Sequence, residues 1–131
     1  MNSKLKLTLA MLAGAALGAT AIQGLNAQTK SLAYIVAEVD VTDAAMYQTY
    51  ADRNTPIVQS AGGRFLSRGE NLIALDGQAP KRLAIFQFDN MEKAKAYRDS
   101  AAYKEIIPMR DKSSKYRSFI VDGSVSGTLG R

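Results

Sequence analysis

Cysteine, histidine and tryptophan do not occur in this chain. Without cysteine there is no disulfide, no thiolate nucleophile and no lipid-modified cysteine to act as an anchor. Without histidine there is no imidazole base, and zinc, copper and haem lose their commonest ligand. A carboxylate site for Mg²⁺ or Ca²⁺ needs spaced acids, and no such run is present. No metal and no cofactor are therefore expected. Lysine and arginine are scattered, with no basic run and no aromatic ladder among them. Nucleic acid is accordingly not an expected partner.

Long hydrophobic runs are also scarce, and the single one lies near the start. Lys4 and Lys6 precede an uncharged stretch, Leu7 to Ile22, rich in Leu and Ala. It is short of the roughly 20 residues that span a bilayer. Small residues follow at Ala19-Thr20-Ala21 and at Ala27, in the order of an export signal. The expectation is a signal peptide over residues 1–27, because polar Gln28-Thr29-Lys30 comes next. Cleavage after Ala21 is the alternative, and an uncleaved anchor is the other reading. Cleavage after Ala27 removes Lys4 and Lys6 and no acid, which lowers the formal charge from +5 to +3. The mature chain is expected in the periplasm or secreted, with no stable membrane insertion. Lacking disulfides, it must be held by its core or by association.

What is present is a regular alternation of strand and helix patterns over one domain, residues 28–123, followed by a polar tail at 124–131. Residues 33–40 alternate as a strand, with Ile35, Ala37 and Val39 on one face and Tyr34, Val36 and Glu38 on the other. Thr42 or Asp43 caps a helix carrying Met46, Tyr47, Tyr50, Ala51, Ile57, Val58 and Ala61 at helical spacing. Pro56 predicts a kink or restart near Asn54-Thr55. Gly62-Gly63 ends that helix. A strand over 64–68 follows, then a short strand segment at Leu72–Leu75, a loop through Pro80, and a strong strand at 81–88. Asp89 or Asn90 caps a second helix to about Ser100. A less regular helical stretch runs over 101–111, and the last strand over 116–122. The order β-α-β-β-α-β is the ferredoxin-like α+β sandwich. Its sheet has helices on one face only, so a homodimer packed sheet to sheet is expected to cover the other.

Several segments carry a family resemblance. They are residues 33–43 (Ala-Tyr-Ile-Val-Ala-Glu-Val-Asp-Val-Thr-Asp), Tyr47-x-x-Tyr50, the element Gly62-Gly63-Arg64-Phe65-Leu66-Ser67-Arg68-Gly69, and Ser100-x-x-Tyr103 with Arg110 beyond. Together they resemble the domain of unknown function 1330 family, over about residues 32–123. The resemblance implies a dimeric α/β barrel. Its superfamily includes antibiotic-biosynthesis-type monooxygenases, muconolactone isomerases, haem-degrading enzymes and stress-response barrel proteins. It implies fold and dimer rather than a reaction. The missing histidine takes away the usual proximal haem ligand, and the missing tryptophan a common pocket aromatic.

Regular alternation places Arg64, Leu66 and Arg68 on one strand face. Glu38, Arg64, Arg68 and Gln87 are then expected to share the barrel interior. Glu38 is the candidate proton acceptor, and Arg64, Arg68 and Gln87 are candidate ligand-binding residues for an anionic or enolisable molecule. Tyr50 and Tyr103 are candidate ligand-binding phenols. Tyr47 and Tyr97 read as core. The competing reading of Glu38 is an ion pair with an arginine that fixes strand register or a dimer contact. Lys93, Lys95 and Arg98 read as a solvated helix face, and Asp76-Gly77 as turn chemistry. The expected function is binding, or conversion without metal or flavin, of a small organic and anionic molecule. The alternative is a non-catalytic ligand-binding, stress-related or structural dimer.

Overall fold

A computed structural model describes residues 31–124. The expected export signal and the residues beyond 124 lie outside the described residues. Four strands form one antiparallel sheet: β1 (Ala33–Val41), β2 (Arg64–Gly69), β3 (Arg82–Phe88) and β4 (Ser114–Asp122), in the order β2-β3-β1-β4. Three helices complete the described residues: α1 (Ala44–Ser60), α2 (Met91–Asp99) and α3 (Ala101–Ser113). This is the expected ferredoxin-like α+β sandwich.

Alternation decides which sheet face is the core. Ala33, Ile35, Ala37 and Val39 of β1 and Ala84, Phe86 and Phe88 of β3 are buried with Val58, Tyr97, Tyr103 and Ile106 of the helices. The aromatic centre is tight: Tyr97 stacks on Phe88 at 5.3 Å between ring centroids and meets Tyr103 at 4.9 Å. Among the described residues, no helix lies on the opposite sheet face.

Local chemistry sets the element ends. Asp43 is the cap of α1, its side chain accepting from the Met46 N–H at 3.1 Å. Helix α1 runs through Pro56 as one element, so the expected restart at Asn54-Thr55 does not occur. A proline inside a helix forfeits one backbone bond, but the buried Asn54 and Val58 on either side keep this stretch docked to the core. The two glycines after the helix have different jobs. Gly62 sits at φ +80, a conformation that side chains disfavour. A Cβ on Gly63 would lie 2.6 Å from the Phe88 ring. Ser100 divides α2 from α3. Its hydroxyl donates to the Tyr97 carbonyl at 2.7 Å and accepts from the Tyr103 N–H at 3.2 Å, ending one helix and starting the next.

Two expectations about strands are corrected. Leu72–Leu75 is not a strand but part of the loop joining β2 to β3, with Ile73 and Leu75 86% and 90% exposed. The sheet, in the order β2-β3-β1-β4, does not include this short apolar run. The second correction is in β2. Arg64 pairs with Gln87 and Phe65 with Phe86, but it is Ser67, not Leu66, that stands opposite Ile85, and Arg68 pairs with Ala84. Leu66 is the extra residue of a β-bulge, which reverses the side-chain phase beyond it.

Candidate functional site

The bulge turns Arg68 toward the helices, and a cleft of about 460 Å³ lies there between α1 and the sheet. Its α1 wall is Tyr47, Tyr50, Ala51 and Asn54, which helical spacing aligns on one face. Its sheet wall is Phe65, Arg68, Arg82, Ala84, Phe86 and Tyr116. The Arg68 guanidinium lies 4.0 Å over the Phe65 ring and donates to Thr55 Oγ1 at 3.1 Å. Arg82 lies 5.5 Å from the Tyr47 ring centroid and is held by Glu70 at 3.1 Å. The lining acid Asp52 accepts from Gln48 at 2.9 Å. The cleft thus joins two guanidiniums, three phenols and an aromatic floor, a combination suited to a planar organic anion.

Behind the cleft wall the polar groups are linked. Arg110 donates to the Tyr103 hydroxyl at 2.8 Å, and the Tyr103 and Tyr50 hydroxyls are 3.2 Å apart. Arg110 is itself held by Asp111 at 2.9 Å. The Tyr97 hydroxyl donates to Asn54 Oδ1 at 2.6 Å. Burial raises the pKa of Tyr50, Tyr97 and Tyr116 well above the ordinary phenol value, and raises that of Tyr47 against the opposing pull of Arg82. These phenols are therefore neutral donors at physiological pH. Among the described residues, no group of three or more acids is placed to hold a metal ion.

The six residues singled out from the sequence do not form one site. Tyr50 and Arg68 are on the cleft. Tyr103 has no exposed surface and lies behind Tyr50 rather than on the cavity. Glu38, Arg64 and Gln87 share the helix-free face expected for them; Arg68 alone departs from that expectation and is corrected to the helix side. Arg64 donates to Gln87 Oε1 at 3.4 Å. Glu38 faces Leu83 and Arg117 in register and is ion-paired with Arg117. The reason for the separation is the bulge for Arg68, and strand alternation for the other three. Arg98 also departs from expectation: it donates to Ser118 Oγ on β4 at 2.9 Å instead of standing free on a solvated face.

Residues missed from the sequence are Arg82, Tyr47, Asn54 and Tyr116 on the cleft, with Arg110 behind it. Two signals pointed to them. Arg82 shares alternation phase with the apolar Ala84, Phe86 and Phe88, and Asn54 interrupts the apolar stripe of α1 between Tyr50 and Val58. A polar residue in a buried phase marks a boundary of the core or a cavity.

Comparison with known proteins agrees with this architecture. The family described as Domain of unknown function (DUF1330) matches residues 32–124. No curated protein matches the chain. Among solved structures, a protein of unknown function from Rhodopseudomonas palustris is similar at TM-score 0.61 and 13% identity, covering 82% of this chain and 93% of its own. SnoaB from Streptomyces nogalater, described as a cofactor-independent oxygenase, is similar at TM-score 0.55 and 11% identity, covering 77% and 99%. A dimeric ferredoxin-like protein of unknown function from Thermobifida fusca is similar at TM-score 0.50 and 10% identity, covering 72% and 92%. At these identities the likeness is one of fold.

Proposed function

The chain belongs to the DUF1330 family, and on that footing we propose that it is an exported homodimer whose cleft binds a small organic anion. The observation that carries this reading is the convergence of Arg68, Arg82 and Tyr50 on one cavity with an aromatic floor. Guanidiniums hold carboxylate or enolate oxygens through paired N–H donors, and Phe65 and Phe86 offer a flat apolar surface to the rest of the ligand. Export rests on the order of positive start, apolar core and small residues over 1–27.

The homodimer is supported by the helix-free face. Tyr34, Val36, Ile85, Phe119 and Val121 lie there, with Phe119 51% and Val121 49% exposed. An apolar sheet face of that kind is seldom left to water. The dimeric state of the Thermobifida fusca neighbour agrees with this. Glu38 and Arg117, with Arg64 and Gln87, then serve strand register and the dimer contact rather than the ligand.

A second reading, turnover of the bound anion by side chains alone, is favoured by the neutral phenols beside two guanidiniums and by the described activity of SnoaB. Titration calorimetry of the mature protein with aromatic carboxylates tests the shared premise of both. Arg68→Gln or Arg82→Gln is expected to weaken binding roughly 5- to 150-fold, as for loss of a charged hydrogen-bond partner. Affinity unchanged in the double variant would remove the cleft from consideration.

A further inference from the structure

We infer that the Tyr50 hydroxyl is a directed hydrogen-bond donor into the cleft, oriented by a buried chain running from Arg110 through Tyr103, and that the site therefore selects ligands with an ionised oxygen. The inference rests on the cleft reading above and deepens it.

The direction follows from donor and acceptor capacity. An arginine side chain donates and never accepts. Tyr103 must therefore spend a lone pair on Arg110, 2.8 Å away. Its other hydroxyl partner is Tyr50, at 3.2 Å. Tyr103 is fully buried. If Tyr50 donated to it, the Tyr103 proton would be left in the core without an acceptor, at a cost of about 1–3 kcal/mol. Tyr103 therefore donates to Tyr50, whose own proton is turned away from Tyr103. The acceptors beyond it, the Tyr116 hydroxyl and a ligand oxygen, both belong to the cleft that Tyr50 and Tyr116 line. Arg110 cannot swing away to break the chain. Asp111 holds its Nε and a second guanidinium nitrogen at 2.9 Å, and the guanidinium stacks 4.5 Å from the Tyr116 ring.

The charge pattern agrees. Arg68 and Arg82 line the same cavity as Tyr50, Arg110 stands behind it on Tyr103, and the single lining acid, Asp52, is engaged by Gln48. The burial of Tyr50 keeps it protonated and so keeps it a donor. A neutral donor flanked by guanidiniums stabilises a phenolate, enolate or carboxylate oxygen more than its protonated counterpart. Tyr103 and Arg110 do not touch the ligand in this arrangement; they are positioning residues.

The probe is 4-nitrophenol, whose ionisation is read from visible absorbance. Bound to the wild-type protein, its apparent pKa is expected to fall below the value in buffer. Tyr50→Phe should raise the bound pKa by about one unit, the worth of one hydrogen bond to a charged oxygen. Tyr103→Phe, which alters no cavity surface, should produce much of the same rise, and combining the two should add little. If Tyr103→Phe does not fold, Arg110→Met removes the same directing donor, and Arg110→Lys should restore part of the effect. Binding that depends on Arg68 and Arg82 while the bound pKa ignores Tyr50 and Tyr103 would overturn the inference and leave the cleft reading standing. Absence of binding, or binding indifferent to Arg68 and Arg82, would overturn both.

Discussion

Arg64 and Arg68, four positions apart on β2, lie on opposite faces of the sheet. Regular alternation puts such a pair on one face; the bulge at Leu66 separates them. Arg64 ends at Gln87 on the helix-free face, and Arg68 ends over Phe65 at the cleft.

The two arginines should consequently behave differently. Arg68→Lys is expected to weaken binding of an aromatic carboxylate about tenfold, because an ammonium cannot reproduce the planar fork. Arg64→Lys and Glu38→Gln should leave that affinity unchanged. Calorimetric titrations of the three variants decide it, and a larger loss in Arg64→Lys than in Arg68→Lys would reverse the assignment of the site.

The glycine pair should separate by mechanism. Gly63→Ala sets a methyl carbon 2.6 Å from the Phe88 ring and 2.9 Å from Val58. Overpacking of this kind costs about 1–3 kcal/mol. Gly62→Ala meets open space but keeps φ at +80, at a cost of about 1–2 kcal/mol. Urea unfolding of both variants should show destabilisation. A Gly63→Ala protein as stable as the wild type would mean that the helix end does not abut Phe88.

Alkaline pH should unfold the protein through its tyrosines. Tyr50, Tyr97 and Tyr116 have raised pKa values, chiefly from burial. Above about pH 10 the unfolded chain loses these protons while the folded chain keeps them. Their stabilisation is complete below that pH and declines as pH rises beyond it, by up to about 1.4 kcal/mol per pH unit for each tyrosine. Urea midpoints measured from pH 9 to pH 11.5 should fall across the upper half of the range. Tyr97→Phe should make the slope shallower. A flat profile would show that the phenols ionise freely in the folded state.

The helix-free face should be the seat of association. Phe119→Asp places a charge among Tyr34, Val36, Ile85 and Val121. Sedimentation of the wild-type mature chain at micromolar concentration should give twice the monomer mass, and Phe119→Asp should give the monomer mass with the helical signal retained. A wild-type protein that sediments as a folded monomer would leave that face without its proposed occupant.

Export predicts a processed N-terminus. N-terminal sequencing of the protein from the periplasm or medium should begin at Gln28, or at Ile22 if the earlier small-residue site is used. Recovery of intact Met1 in the membrane fraction would identify the segment as an anchor.

Much of the fold was legible in the sequence, because its signals are local. Ile35, Ala37 and Val39 alternate, Tyr47, Tyr50 and Val58 repeat at helical spacing, and Asp43, Asn90 and Gly62 mark ends that need a side-chain acceptor or a positive φ. The family resemblance followed from the same segments and agrees with the match to residues 32–124. The candidate site was legible only in part. Tyr50 and Arg68 were found, but their company was not. A bulge is a property of two paired strands, and nothing within Phe65-Leu66-Ser67 announces which residue will be left unpaired. That one extra residue moved Arg68 to the helix side and left Arg64 on the other. The ion pair of Glu38 with Arg117 and the chain from Arg110 to Tyr50 likewise join residues 79, 7 and 53 positions apart. The sequence by itself determined which segments are strands and helices and which faces are apolar, through periodicity and caps. Only the tertiary structure decided which polar side chains meet, because register and packing are set between elements and not within them.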